Sequence, residues 1–302
     1  MKRLRRIVRG STLLILFSSV FACKVSDDAV AASSQMTSTA AGLNSYYSVL
    51  ADSVTDTIAL YELDSVISGI PFSSEDRKLP EDTRAEILKR RDLANSLGKL
   101  ASSMAILSDS KAPADVETAA TSLGNELIQV KALPGGSSVP DAIGKAGNYL
   151  LQVIQQHKEK EAARAMDQIL AAVGDLFEKE KPTYDSIART HLLEASQVAK
   201  DLTNANGVDP TVMLTPALKP FNLTPLPATK QLQDSLKSLA LSRLQSKADE
   251  AIKKEVDASA AMLEALREMS TRVHLLATER PMPARGNPFS LKIVESWAAS
   301  AI

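Results

Sequence analysis

Residues 251–277 read AIKKEVDASAAMLEALREMSTRVHLLA, and the spacing of the apolar side chains in this stretch predicts a long α-helix. The apolar residues recur at steps of three and four, which places them on one face of a helix, and the charges lie largely on the other face. The pattern begins near Lys230 and ends near Thr278, so the predicted helix has about 50 residues and a length of roughly 75 Å. A helix of this length must run along an elongated helical bundle. Its apolar face consists of Ile252, Val256, Leu263, Leu266, Met269, Val273 and Leu276.

The rest of the chain has the composition of a helical protein. Aromatic residues make up 4% of the 302 residues and only 12 are glycine, whereas Ala, Leu, Ser, Glu and Lys dominate. Helices that pack through small and medium aliphatic side chains have this composition. We therefore predict an all-α fold, an elongated bundle of about six helices with long antiparallel members. The other predicted helices span 36–68, 80–107, 113–130, 140–181 and 183–206, with a turn at Lys181-Pro182 between the last two.

A proline-rich connection interrupts the helical pattern at residues 207–229. Five of the 14 prolines of the chain lie in this connection, between apolar residues. Proline at this density excludes a regular helix, and the apolar content is too high for a solvated linker. We predict an extended strap that lies along an apolar surface. Met213, Leu214 and Phe221 are a candidate interaction surface, and the favoured alternative is that the strap buries them on its own bundle.

Residues 281–302 are a predicted amphipathic tail at the C-terminus. The tail carries the only tryptophan of the chain, Trp297. An amphipathic segment with one tryptophan suits a membrane interface or a partner protein, which makes Trp297 a further candidate for an interaction surface. The favoured alternative is again that the side chain packs back onto the bundle.

Residues 1–22 have the organisation of a secretory signal peptide. Five positive charges lie in the first nine residues, an apolar stretch follows at 13–17, and Ala22 precedes Cys23. A basic region, a short apolar region and a small residue before the cleavage site are the marks of such a peptide. The apolar run of about 12 residues is too short to span a membrane, which takes roughly 20 residues.

Val20, Ala22 and Cys23 resemble the lipobox of bacterial lipoproteins, and the resemblance covers residues 1–23 only. It implies that acyl chains on Cys23 hold the protein to a membrane, and Lys24 implies sorting to the outer membrane of a Gram-negative bacterium. Secretion without a lipid is the alternative, but it would leave the only cysteine free in an oxidising compartment. The small and polar residues 23–36 are then a tether, and residues 37–280 are the helical bundle domain.

The charge of the chain argues against nucleic acid as a partner. Removing five of the 35 Lys and Arg residues with the signal peptide leaves 30 of them against 36 Asp and Glu, a net charge of about −6. Proteins that bind nucleic acid carry a basic patch or stripe, which this chain lacks.

No catalytic or cofactor signature is present in the sequence. His191 and Glu194 have a spacing that puts two ligands on one face of a helix. A di-iron bundle needs two such pairs and two further glutamates, and this chain has one pair in reversed order. Motifs for nucleophilic catalysis and for phosphate binding are also absent. We predict a protein that is not an enzyme and needs no metal or cofactor.

Two functions from different classes fit these observations. The first is a lipid-anchored helical scaffold that binds an envelope protein, and the second is a binding or sensor module that holds a small ligand between its helices. A tightly filled seam between the helices favours the scaffold, whereas a cavity with converging polar groups favours the sensor. A membrane-active helical protein is a third possibility, but the mature chain has no run of 18 apolar residues.

Overall fold

The computed structural model describes residues 4–107, 113–134, 136, 138–139, 141–155, 159–211, 218–222, 230–278 and 289–301, and in the first helix it describes side chains from Val30 onwards. Across these ranges the chain forms seven α-helices and a short 3-10 helix at Lys219–Phe221, and no strand. The prediction of an all-α bundle is confirmed. The helices are α1 Leu4–Ser68, α2 Ser74–Leu107, α3 Pro113–Gln129, α4 Asp141–Gln155, α5 Glu159–Asn204, α6 Lys230–Ala277 and α7 Phe289–Ala301.

Helix α1 is the centre of the bundle. It forms a hairpin with α2 and also contacts α5, α6 and α7. Helices α3 and α4 pack on each other and close the bundle on the side of α2 and α5, while α6 runs along α5. The buried apolar side chains of these helices form one continuous core, which includes Leu50, Leu97, Phe177 and Leu266.

The turn between α1 and α2 is fixed by a glycine and by a capping box. Gly69 has a φ of +73°, and its N–H donates to the carbonyl of Ser65 at 3.0 Å. The hydroxyl of Ser73 accepts from the N–H of Asp76, and the N–H of Ser73 donates to the Asp76 carboxylate at 3.0 Å. This reciprocal pair starts α2 before Pro80, the residue at which the sequence predicted the helix to begin.

The predicted division of residues 140–206 into helices is wrong in two places. The predicted turn at Lys181-Pro182 does not exist, because Pro182 lies inside α5. An interior proline costs a helix about 3 kcal/mol. The fully buried side chains of Phe177 and Tyr184, on either side of the proline, hold both halves of α5 in the core and offset this cost.

The predicted helix over residues 140–181 is also wrong, because the chain forms two helices there, α4 and α5. The two helices pack against each other, which a single straight rod does not allow. Ile143 and Ala146 of α4 are buried, and Gly147 approaches α3 so closely that an added Cβ would lie 2.9 Å from the carbonyl of Gly124. Burial of this face on its neighbours explains why α4 folds back.

The predicted limits of the longest helix, over residues 230–278, and the predicted C-terminal end of the helix over residues 183–206 agree with the structure. Helix α6 spans Lys230–Ala277, within one residue of the prediction. Helix α5 closes at Asn206 and Gly207, where Asn206 has a φ of +58° and the N–H of Gly207 donates to the carbonyl of Leu202 at 2.8 Å. A left-handed residue at this position is a common way for a helix to end.

Helix α1 begins earlier than the sequence predicted. The residues assigned to the polar tether are helical, and Ala32, Ser33 and Met36 are buried. Alanine and methionine favour helix, and the small side chains allow close packing. The bundle therefore extends by at least one helical turn towards Cys23.

Candidate functional site

Five aromatic side chains meet where α1, α5 and α7 pack together. They come from Tyr46 and Tyr47 of α1, Phe177 and Tyr184 of α5, and Trp297 of α7. The ring centroids of Tyr46 and Trp297 are 5.1 Å apart, and those of Tyr46 and Phe177 are 5.4 Å apart. Aromatic pairs at these separations add stabilisation beyond the area that they bury. Trp297 is only 8% exposed, so this tail residue packs back onto the bundle.

A buried ion pair lies next to the aromatic cluster. The guanidinium of Arg90 in α2 is fully buried and donates to both carboxylate oxygens of Glu180 in α5. Arg90 also donates to the carbonyls of Glu86 and Lys131, at 2.8 and 2.7 Å. The hydroxyl of Tyr184 donates to the same carboxylate. Burial is the largest single influence and works to lower the pKa of Arg90, but the hydrogen bond to Glu180 and the electrostatic attraction of Tyr184, Glu180 and Tyr47 together outweigh it and hold the pKa above the ordinary value.

Glu255 of α6 is a second buried carboxyl group. Its Oε1 accepts from the hydroxyl of Tyr46 at 3.2 Å, while Oε2 is buried without a hydrogen-bond partner among the described residues. Burial, together with the nearby carboxylate of Asp185, raises the pKa of Glu255 to about 7. Asp185 itself accepts from Lys181 at 2.7 Å and from Ser259 at 2.8 Å. Glu255 therefore changes charge near neutral pH at the contact between α1, α5 and α6.

A cleft of about 560 Å³ opens above Glu255, between α1, α5, α6 and α7. Its volume lies in the range of small-molecule sites. Glu255 and Trp297 are its buried lining residues on α6 and α7, and exposed charged residues surround its mouth. His191 also lines the cleft, and burial lowers the pKa of this histidine. The charged residues at the mouth are Asp52, Asp56, Lys247, Glu250 and Lys254.

The structure brings one of the predicted site residues, Trp297, into this cleft. Met213 and Leu214 lie outside the described residues. Phe221 belongs to the short 3-10 helix, but its side chain is also outside the description, as is the side chain of Cys23. The extended strap is therefore described only in part.

Sequence reasoning missed Arg90, Glu180 and Glu255. Each lies at helical spacing from buried apolar residues, as Arg90 does from Ile87 and Leu93. A charged residue at a core position was the available signal, because such residues are almost never fully buried unless they are paired.

The described residues form neither a metal-binding cluster nor a helix that could span a membrane. His191 lies 3.4 Å from the hydroxyl of Thr57, and the described side chains contain no group of three or more His, Cys, Asp or Glu that could hold a metal ion. No described helix has a stretch that is long and apolar enough to cross a bilayer.

Comparison with family models, curated proteins and solved structures found no match to this chain.

Proposed function

We propose that this protein is a lipid-anchored helical scaffold of the cell envelope, most consistent with the outer membrane of a Gram-negative bacterium, and that it binds an envelope protein. The observation that carries the proposal is the position of Cys23 on α1, the helix that contacts α2, α5, α6 and α7. Acyl chains on Cys23 would attach the membrane directly to the central helix of the bundle. From residue 30 to Ser68 this helix extends about 57 Å, so that the turn between α1 and α2 lies far from the anchor.

The anchor is tested by the substitution Cys23→Ser. We expect that this variant loses incorporation of radiolabelled palmitate and moves from the membrane fraction to the soluble fraction, because a serine cannot accept the thioether-linked lipid. The substitution Ser26→Ala, three residues further along, is the matched control and leaves both readouts unchanged. Palmitate labelling and membrane fractionation of Cys23→Ser at the wild-type level would exclude the lipid anchor.

A second candidate function is the binding of a small ligand between the helices. The cleft above Glu255 favours it, because side chains from four helices converge on a volume of about 560 Å³. The mouth of the cleft carries opposite charges, which suit a ligand that carries both signs of charge. Asp52 and Asp56 lie on α1, and Lys247 and Lys254 lie on α6. The scaffold and the ligand site are compatible in one protein.

Intrinsic fluorescence tests the ligand site, since Trp297 is the only tryptophan and lines the cleft. We expect a saturable change in its emission when amino acids, which carry both signs of charge, are titrated. The substitution Ala251→Phe fills the cleft and abolishes this change, whereas Ala260→Phe, on an exposed face of the same helix, preserves it. An emission that no compound alters, or a response that survives Ala251→Phe, would contradict the proposal.

A further inference from the structure

Exposed apolar side chains are concentrated at the turn between α1 and α2, which we call the hairpin tip (residues 63–79). Five of the twelve large apolar side chains that are exposed among the described residues lie there. Val66 is 79% exposed, Ile70 70% and Leu79 61%. Single exposed apolar residues are ordinary, but a cluster of this kind marks an interaction site. The other two exposed apolar residues of the hairpin tip are Leu63 and Ile67.

A groove runs from the hairpin tip along the bundle. One cleft of about 600 Å³ lies at the tip between α1 and α2, and a second of about 470 Å³ lies between α1, α2 and α5. Both are lined by Tyr61, Leu79 and Pro80, so the two clefts adjoin, and together we call them the tip groove. Ile70 lines its outer half and Ile187 its inner half.

The two halves of the tip groove differ in charge. The outer half is lined by the carboxylates of Asp64, Glu75 and Asp76 and by no basic residue. The inner half is lined by apolar, tyrosine, serine and threonine side chains and by no charged residue. Six acidic residues and two basic ones lie between positions 62 and 82, and one of the basic ones, Arg77, is paired with Glu62. The tip therefore carries negative charge beside exposed apolar surface.

We propose that the tip groove binds an amphipathic helix of a partner protein, with apolar side chains in the groove and basic residues over the hairpin tip. Helix-in-groove binding places an apolar helical stripe into a depression of this kind, and the charges steer and orient it. A second copy of the chain would bring a second acidic tip against the first, and an anionic lipid surface would also be repelled. The inference rests on the proposed scaffold function, because it assigns the surface by which the scaffold binds its partner.

Model peptides test this inference. The probe is a fluorescein-labelled peptide of 18 residues in which leucine and lysine alternate with helical periodicity, and the matched peptide has glutamate in place of lysine. The protein is the full chain with Cys23→Ser, so that no acyl chain competes for the groove and failure of the anchor does not affect the result. Fluorescence anisotropy gives the dissociation constants, and circular dichroism verifies that each variant is folded.

We expect the lysine peptide to bind and the glutamate peptide to bind at least about tenfold more weakly. Leu79→Ser weakens binding of the lysine peptide about tenfold, as expected for a central apolar contact. Glu75→Lys weakens the lysine peptide and strengthens the glutamate peptide. Leu239→Ser, which removes a leucine that is 45% exposed on α6, is the matched control and leaves both dissociation constants unchanged.

Three results would overturn the assignment. The first is equal binding of the lysine peptide to the Leu79→Ser and Leu239→Ser variants. The second is a dimer in sedimentation that Leu79→Ser dissociates, which would make a second copy the occupant. The third is cosedimentation with vesicles of phosphatidylethanolamine and phosphatidylglycerol that Leu79→Ser abolishes, which would make the tip a lipid-binding surface.

Discussion

Replacing Arg90 by methionine is expected to lower the free energy of unfolding by about 3–5 kcal/mol, the usual cost of removing one partner from a buried ion pair. Arg90 is fully buried and Glu180 is 1% exposed, so the substitution leaves a carboxylate in the core without its cation. The carbonyls of Glu86 and Lys131 lose a donor as well. Tyr184 still donates to Glu180, but one neutral hydrogen bond does not replace the two charged hydrogen bonds from the guanidinium of Arg90. Urea denaturation followed by circular dichroism measures the loss.

Arg267→Met is the matched control for this prediction. Arg267 of α6 pairs with Glu178 of α5 at 2.8 Å, but the two side chains are 62% and 53% exposed. An exposed pair contributes at most about 1 kcal/mol, so this variant unfolds close to the wild type. The double variant Arg90→Met with Glu180→Leu should recover most of the stability, because neither charge of this pair then remains buried. Equal losses for Arg90→Met and Arg267→Met would show that the buried pair contributes no more than a surface pair.

The spacing of apolar residues predicted correctly those helix ends that are marked by residues close in the sequence. The limits of α6, the end of α1 at Ser68 and the closure of α5 at Asn206 and Gly207 follow from apolar spacing, glycine and asparagine. The same local rules failed at Pro182, where burial of Phe177 and Tyr184 continues the helix. They also failed between α4 and α5, since the sequence has neither proline nor glycine between Gln155 and Glu159.

The candidate site was predictable only at Trp297, which its amphipathic surroundings single out. Arg90 and Glu180 are 90 positions apart, and their pairing depends on how α2 packs against α5. Glu255 meets Tyr46 across 209 positions for the same reason. A sequence can indicate that a charge occupies a core position, but the residue that compensates it comes from tertiary packing. The tip groove could not be predicted from the sequence either, because it depends on how α1, α2 and α5 pack against one another.

The stability of the protein is expected to fall as the pH rises from about 4.5 to about 7, because of Glu255. The pKa of this carboxyl is raised from an ordinary value of 4.5 to about 7 in the folded chain. Between these two values the folded state binds more protons than the unfolded state, so that raising the pH favours unfolding. The stabilisation is fully present below pH 4.5 and is lost by about pH 7. A shift of this size corresponds to roughly 3 kcal/mol.

Glu255→Gln separates this effect from the titration of the other carboxyl groups. The amide keeps the size of the side chain, stays neutral at every pH and can accept from Tyr46 as the acid does. We expect the variant to be more stable than the wild type at pH 8 and nearly equal to it at pH 4.5, in urea denaturation at both pH values. Glu250→Gln, one and a half turns away on the exposed face of α6, leaves the difference between the two pH values as it is in the wild type. If Glu255→Gln had the same pH dependence as Glu250→Gln, the carboxyl of Glu255 would have the same pKa in the folded and the unfolded chain, and its burial would not raise that pKa.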